Sequence, residues 1–238
     1  QSSRSKTSCD MAASVWFFFS LASLGALHVF AVSVRLLASL APCLRRPKDL
    51  RRRYGEWAVV TGPTSGIGRS MSLELARRGL NLVLVGRDEA MRRLREAVAG
   101  LDVGVLVNNA GVAKPGAVYM HEVGVEAWAR MIRVNVLALT EVTAAVLPGM
   151  VRRGRGAVVN MGSGSASVLP SFPLYSVYAG TKRYVAEFSR SLAVEYGNSG
   201  IDVQCQVCTR CARSHPSCHD IIVVVPCLQA PFLVETNM

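Results

Sequence analysis

The chain opens on an unbroken apolar block and then settles into alternation. Residues 12–34 carry no charge across 23 positions and are rich in Phe, Leu, Val and Ala. As a helix rising ~1.5 Å per residue the block reaches roughly 35 Å, enough for a hydrocarbon core of about 30 Å. His28 is its only ionisable interruption, and Arg35 follows where its stem can snorkel to an interface. The alternatives are a buried core helix and a cleaved signal sequence, whose apolar stretch is usually only ~7–15 residues. The pattern predicts a transmembrane anchor over 12–41, preceded by a leader over 1–11 (read-through or disordered, with Met11 as a natural start) and followed by a basic linker over 42–56.

Beyond residue 56 the apolar positions fall in short runs at 58–60, 82–85, 103–107 and 157–161, followed by Thr61-Gly62, Gly86, Asn108 and Gly162 in turn. Short continuous apolar runs bounded by turn residues read as strands buried on both faces of a parallel sheet. Amphipathic stretches at 69–78 and 88–99 supply the crossover helices. The expected fold class is α/β, a Rossmann-like doubly wound parallel sheet behind an N-terminal transmembrane helix.

Charge and cysteine placement narrow the partners. Net charge is +11, but residues 1–56 hold nine Lys/Arg against three Asp/Glu, so much of it precedes the domain. No aromatic residues interleave with the basic ones as a single-strand binding surface requires, which argues against nucleic acid. Two basic residues precede the apolar block and seven follow it by Arg53, so the positive-inside rule places the domain in the cytosol. Residues 58–204 contain no cysteine, as suits a reduced compartment rather than a disulfide-stapled secreted domain. Cys208, Cys211, Cys218 and Cys227 crowd the tail beside His215 and His219, but without paired CxxC knuckles no metal is assigned.

The candidate chemistry sits at the ends of the runs. Thr61-Gly62-Pro63-Thr64-Ser65-Gly66-Ile67-Gly68 joins the first strand to a helix. Gly62 permits the tight turn, Gly66 lets backbone approach a pyrophosphate, and Gly68 allows close helix–strand contact. The helix N-terminus then presents free N–H groups and a positive dipole to phosphate. Arg87, at the end of the second strand, suits the 2′-phosphate of NADP(H), whereas Asp88 either complicates that choice or caps the next helix. Tyr178 and Lys182 lie four apart, one turn along a helix face. A free tyrosine titrates near ~10; a neighbouring ammonium favours its phenolate and makes it a usable general acid.

In their order and strand-end placement, Thr61–Gly68, Asn108-Asn109-Ala110-Gly111, Asn160-Met161-Gly162-Ser163-Gly164-Ser165 and Tyr178-Ala179-Gly180-Thr181-Lys182 resemble the short-chain dehydrogenase/reductase family. The resemblance implies hydride transfer with NADP(H), held by Gly62, Thr64, Ser65, Gly66, Ile67, Gly68 and Arg87. It also implies that Asn108, Asn109, Ala110 and Gly111 brace the sheet and line the adenosine side, and that Lys182 holds the nicotinamide ribose. It assigns proton donation to Tyr178 and a relay water to Asn135. For the serine that bonds the substrate carbonyl, Ser163 matches the strand end and Ser165 matches the spacing to Tyr178; Ser163 is preferred.

Other stretches, among them Tyr54-Gly55-Glu56-Trp57-Ala58 and Ser199-Gly200-Ile201-Asp202-Val203-Gln204-Cys205-Gln206, are similar to the very-long-chain 3-oxoacyl-CoA reductases of plants. That implies reduction of a 3-oxoacyl-CoA substrate at the endoplasmic reticulum membrane, beside other fatty-acid elongation enzymes. A 17-hydroxysteroid dehydrogenase and a catalytically impaired anchored protein are the alternatives. The last rests on departures from the family. Between Arg87 and Leu101 only 13 residues remain, too few for the roughly 30 of a further βαβ unit, so an edge strand and its acidic contact to adenine are expected to be missing. The reductase domain is expected over 57–206, a cysteine-rich insertion over 207–229 and a cut-short cofactor-side loop over 230–238. The last strand is expected to be absent, with weak NADPH binding and negligible turnover.

Overall fold

The computed structural model describes residues 16, 22–34, 49–86, 91–167, 171–208 and 222–225. The chain divides into two compact units, Gln1–Pro47 with Phe232–Met238, and Lys48–Pro231. In the first unit the described part is helix α1 (Ala22–Val34), exposed throughout, with Trp16 also helical and exposed. At ~1.5 Å per residue the described part of α1 is roughly 20 Å long; the rest of the 12–41 span expected as an anchor, apart from Trp16, lies outside the described residues.

The second unit begins with a short helix, α2 (Leu50–Tyr54), whose Leu50 and Tyr54 are buried. Five parallel strands follow: β1 (Trp57–Thr61), β2 (Asn81–Val85), β3 (Val103–Asn108), β4 (Gly156–Met161) and β5 (Ile201–Cys208). With β6 (Ile222–Val225) they form one sheet in the order β2-β1-β3-β4-β5-β6. The connecting helices are α3 (Gly66–Arg77), α4 (Met91–Val98), α5 (Val125–Ile132), α6 (Ala138–Arg153), α7 (Gly164–Ser167) and α8 (Ser176–Tyr196). A π-helical stretch, Arg133–Leu137, joins α5 to α6.

β3 and β4 are buried at every position because helices cover both faces. On one face Val59, Leu106 and Val158 pack with Val146 and Met150 of α6 and Leu192 of α8. Side chains alternate along a strand, so Val60, Val105 and Val107 line the other. Together α5, the π stretch and α6 are long and apolar enough to cross a membrane, but α6 contributes Val142, Val146 and Met150 to this core.

Two expectations are corrected at the β5 edge. β5 runs past Gln206 to Cys208, and β6, drawn from the presumed insertion, pairs antiparallel with it through Cys205–Val225, Gln206–Val224, Val207–Val223 and Cys208–Ile222. The sheet therefore has a last strand, and it is not wholly parallel. The physical reason is local: Ile222-Val223-Val224-Val225 is β-branched throughout and suits a pleated ladder. At the other edge β2 pairs with β1 alone among the described residues. The helix expected at 69–78 begins earlier, at Gly66, because Ser65 is already the extended N-cap. The helix expected at 88–99 is described as Met91–Val98; Arg87 and Asp88 lie outside the described residues, as do Cys211, Cys218, Cys227, His215, His219 and residues 230–238.

α2 is tied to the start of the sheet by charge and close packing. Gly55 leaves α2 with φ 144°, and a Cβ on Gly104 would lie 2.4 Å from the Gly55 nitrogen, so β3 needs glycine where α2 ends. The Tyr54 hydroxyl donates to Asp202 Oδ2 at 2.5 Å, and Arg53 reaches the same oxygen at 3.0 Å. Burial, then the hydrogen bond and the charge of Asp202, hold the Tyr54 phenol neutral well above the usual tyrosine range. A pKa raised on folding adds stability below the unfolded value of about 10, lost as pH climbs beyond it. Tyr54→Phe should therefore cost about 1–3 kcal/mol near neutrality, read from urea midpoints. The wild-type midpoint should also fall more steeply than the variant's above about pH 10; parallel pH profiles would contradict this.

Candidate active site

The site lies at the carboxyl ends of β1, β3, β4 and the start of α8, where crevices form in open α/β sheets. On the β1 side, Gly62 and Gly66 take left-handed φ values of 64° and 55°. A Cβ on Gly68 would lie 2.2 Å from the Gly62 carbonyl oxygen and 2.3 Å from Asn109 Nδ2. Glycine is thus what lets α3 close onto the turn. Asn109 completes the clamp: its Nδ2 donates to the carbonyls of Thr61 at 3.1 Å and Gly62 at 3.0 Å. Thr61 Oγ1 accepts from the Asn109 and Ala110 nitrogens, both at 3.0 Å. The turn after β1 and the turn after β3 are therefore one hydrogen-bonded body.

This body fits a dinucleotide phosphate. A Cβ on Gly66 would meet nothing within 4 Å, so the backbone there is open to close approach. Ser65 makes no side-chain capping bond, the first turn of α3 holds no carboxylate, and Thr64 and Ser65 are exposed beside half-buried Ile67. A helix N-terminus with uncompensated positive dipole and free N–H groups suits an anion.

On the β4 side, Lys182 is buried and its Nζ donates to the Met161 carbonyl at 2.8 Å. Asn135 is buried in the π stretch, and its amide is well occupied. Oδ1 accepts from the Val112 nitrogen at 2.8 Å, while Nδ2 donates to the Val112 carbonyl at 2.9 Å and Thr181 Oγ1 at 3.1 Å. Thr181 in turn donates to the Tyr178 carbonyl at 2.7 Å. A Cβ on Gly111 would fall 3.5 Å from Asn135 Oδ1 and 3.6 Å from Lys182 Nζ, so these three residues converge on one point. Tyr178 shares α8 with Lys182, is half-buried, and meets the Tyr175 ring edge-on at 6.3 Å. Ser163 and Ser165 are brought together, their hydroxyls 2.9 Å apart, with the Ser165 nitrogen donating to Ser163 Oγ at 3.3 Å.

Beneath this surface runs a buried polar chain. Asn108 Nδ2 donates to Thr143 Oγ1 at 2.9 Å and to Asn160 Oδ1 at 2.8 Å, and Asn160 Nδ2 donates to Ser189 Oγ at 2.9 Å. The sequence places Thr61 and Thr181 inside motifs but gives them no role, and Thr143 and Ser189 carry no motif at all. Their hydroxyls act across elements far apart in the chain, and the signal available was only a polar residue inside an otherwise apolar stretch.

An open α/β sheet with a glycine-rich first turn, a buried lysine one turn from a tyrosine, and serines at the end of β4 defines a nucleotide-dependent oxidoreductase architecture. Residues 88–214, just over half the chain, match the short chain dehydrogenase family, and the chain belongs to it. It is 45% identical over 194 residues to a very-long-chain 3-oxoacyl-CoA reductase-like protein of Arabidopsis thaliana, covering 69% of this chain and 62% of that one. It is 36% identical over 193 residues to the human inactive hydroxysteroid dehydrogenase-like protein 1, covering 68% and 58%. The chain thus spans about three fifths of the length of these curated relatives. Among solved structures, a short-chain dehydrogenase from Sphingobium yanoikuyae in complex with NADPH superposes with a TM-score of 0.59 at 32% identity, over 64% of this chain and 70% of that one.

Two glycine variants separate close packing from backbone conformation in the turn. Gly68→Ala should destabilise by about 1–3 kcal/mol, because backbone oxygen blocks the new methyl. Gly66→Ala, in open space but at positive φ, should cost less, about 1–2 kcal/mol of left-handed strain. Chemical denaturation of both reads the difference, and equal losses would contradict the close-approach argument.

Proposed function

We propose that the chain reduces the 3-oxo group of a very-long-chain acyl-CoA with NADPH, as a membrane-anchored enzyme of fatty-acid elongation. The observation that carries this is the convergence of Gly111, Asn135 and Lys182 beside the helix that presents Tyr178. The Arabidopsis relative, named for that chemistry, supports the choice of substrate. NADP(H) would lie with its phosphates on the α3 N-terminus and Gly62–Gly66, its adenosine along Asn108–Gly111 and its ribose at Lys182. Arg87, two residues after β2, would meet the 2′-phosphate. When bound, the cofactor supplies the hydride that the 3-oxo carbon accepts.

The chain's own residues do the rest. Ser163, first in line after β4, donates a hydrogen bond to the carbonyl oxygen, with Ser165 holding its hydroxyl. Tyr178 gives its phenolic proton to that oxygen as the hydroxyl forms, and the Lys182 ammonium on the same helix favours the phenolate left behind. Asn135, locked by Val112 and Thr181, fixes the π stretch against α8, where the family's relay water is held. Residues 12–41 would anchor the chain in the endoplasmic reticulum membrane with residues 57–206 in the cytosol, beside other elongation enzymes.

A second reading has one observation of its own. Among the described residues β2 ends the sheet, and only 13 residues separate Arg87 from Leu101, too few for a further βαβ unit on the adenine side. In this reading the chain keeps the framework with little turnover, in line with the relative named inactive.

Turnover of a long-chain 3-oxoacyl-CoA by the purified full chain with NADPH decides between the two. Under the first reading Tyr178→Phe lowers kcat about 10²–10⁴-fold with NADPH affinity unchanged, and Ser163→Ala costs more than Ser165→Ala. A Phe variant that keeps wild-type turnover would falsify the proton-donor assignment. Carbonate washing of membranes should leave the chain in the pellet; release to the supernatant would remove the anchor.

A further inference from the structure

Leu174 stands in a conformation that leucine rarely adopts. Its φ is 64°, and every other left-handed position among the described residues is a glycine. The turn is closed by the Tyr175 nitrogen donating to the Phe172 carbonyl at 3.3 Å, with Pro173 second and Leu174 third. In a type II turn the third position demands positive φ and is usually Gly or Asn. Burial does not explain the leucine, since its side chain is 38% exposed. Backbone strain held at an exposed position points to a use for the side chain.

The surroundings indicate that use. The Leu174 carbonyl accepts from the Val118 nitrogen at 3.1 Å, tying the loop after β3 to the loop before α8. Immediately after Val118 come Tyr119 and Met120, 61% and 58% exposed. Immediately after Leu174 comes Tyr175, whose ring packs on Phe172 at 5.1 Å and on Tyr178 at 6.3 Å. The two loops joined by that bond thus carry three exposed apolar residues, Leu174, Tyr119 and Met120, and Tyr175 connects the Leu174 turn to the ring of Tyr178. We propose that these residues of the two joined loops seat the substrate's alkyl chain, and that Leu174 is a specificity-determining residue kept at a glycine position for that contact. The proposal rests on the acyl-CoA reading of the site and adds to it the side of the site along which the chain lies.

The test is calorimetric titration of lauroyl-CoA and of CoA alone into the purified full chain and its Leu174→Gly variant. Glycine relieves the left-handed conformation, so the variant's melting temperature should not fall, whereas a leucine that merely supports the fold would lower it. Wild type should bind lauroyl-CoA more tightly than CoA, and Leu174→Gly should shrink that preference about tenfold while CoA affinity stays the same. Met120→Gln, on the neighbouring loop, should shrink it in the same direction. No preference in wild type, a preference untouched by both variants, or a lowered melting temperature in Leu174→Gly would each overturn the proposal. A wild-type chain that shows the Leu174-dependent preference yet fails to reduce a 3-oxoacyl-CoA would sink the reductase reading and leave this one standing.

Discussion

The amide of Asn108 donates to the amide oxygen of Asn160 across the last rung between β3 and β4, and the geometry above it is fixed from there. Both side chains are buried, so an unmade bond would leave polar groups stranded. A one-residue slip of either strand would turn its entire side-chain set to the opposite face. Thr143 of α6 and Ser189 of α8 join the same chain, which locks two helices to the two middle strands. Directly beyond Asn108 lie Asn109, Ala110 and Gly111; directly beyond Asn160 lie Met161, which holds Lys182, and the paired serines. The proposed cofactor side and the proposed proton-transfer side are thus two continuations of one buried contact.

Much of this was legible in the chain because strand ends in a parallel sheet are read by composition. Four apolar runs closing on Gly, Asn and Ser gave β1, β2, β3 and β4 to within a residue at most ends. The Tyr178–Lys182 spacing gave a shared helix. What escaped was non-local or contrary to habit. β6 was missed because its segment looked foreign, although four successive β-branched residues argued for a strand. The π stretch at Asn135 has no periodic signal of its own. The Thr61 and Thr181 hydroxyls bond partners 46 to 49 residues away, which no local pattern encodes. Leu174 was hidden because Pro173 predicts a turn whose next position ought to be glycine.

The departures from a regular doubly wound sheet fall at its two edges, not at its centre. β2 closes one side after a short crossover, and antiparallel β6 closes the other. The buried amide chain, the glycine clamp and the lysine–carbonyl contact all lie between them. In the proposed reading, edge changes of this kind weaken what leans on the edges, the adenine end above all, while the residues around Lys182 stay assembled.

In the proposed function the clamp of Gly62, Gly68 and Asn109 presents the α3 N-terminus to a dinucleotide phosphate. Titration of the purified full chain with NADPH and with NADH, followed by nicotinamide fluorescence, tests it most directly. NADPH binding should be saturable, weak in absolute terms, and tighter than NADH by about tenfold through the charge-assisted 2′-phosphate contact. This binding should also weaken as salt rises. Absence of saturable binding by either nucleotide in the folded chain would contradict that reading.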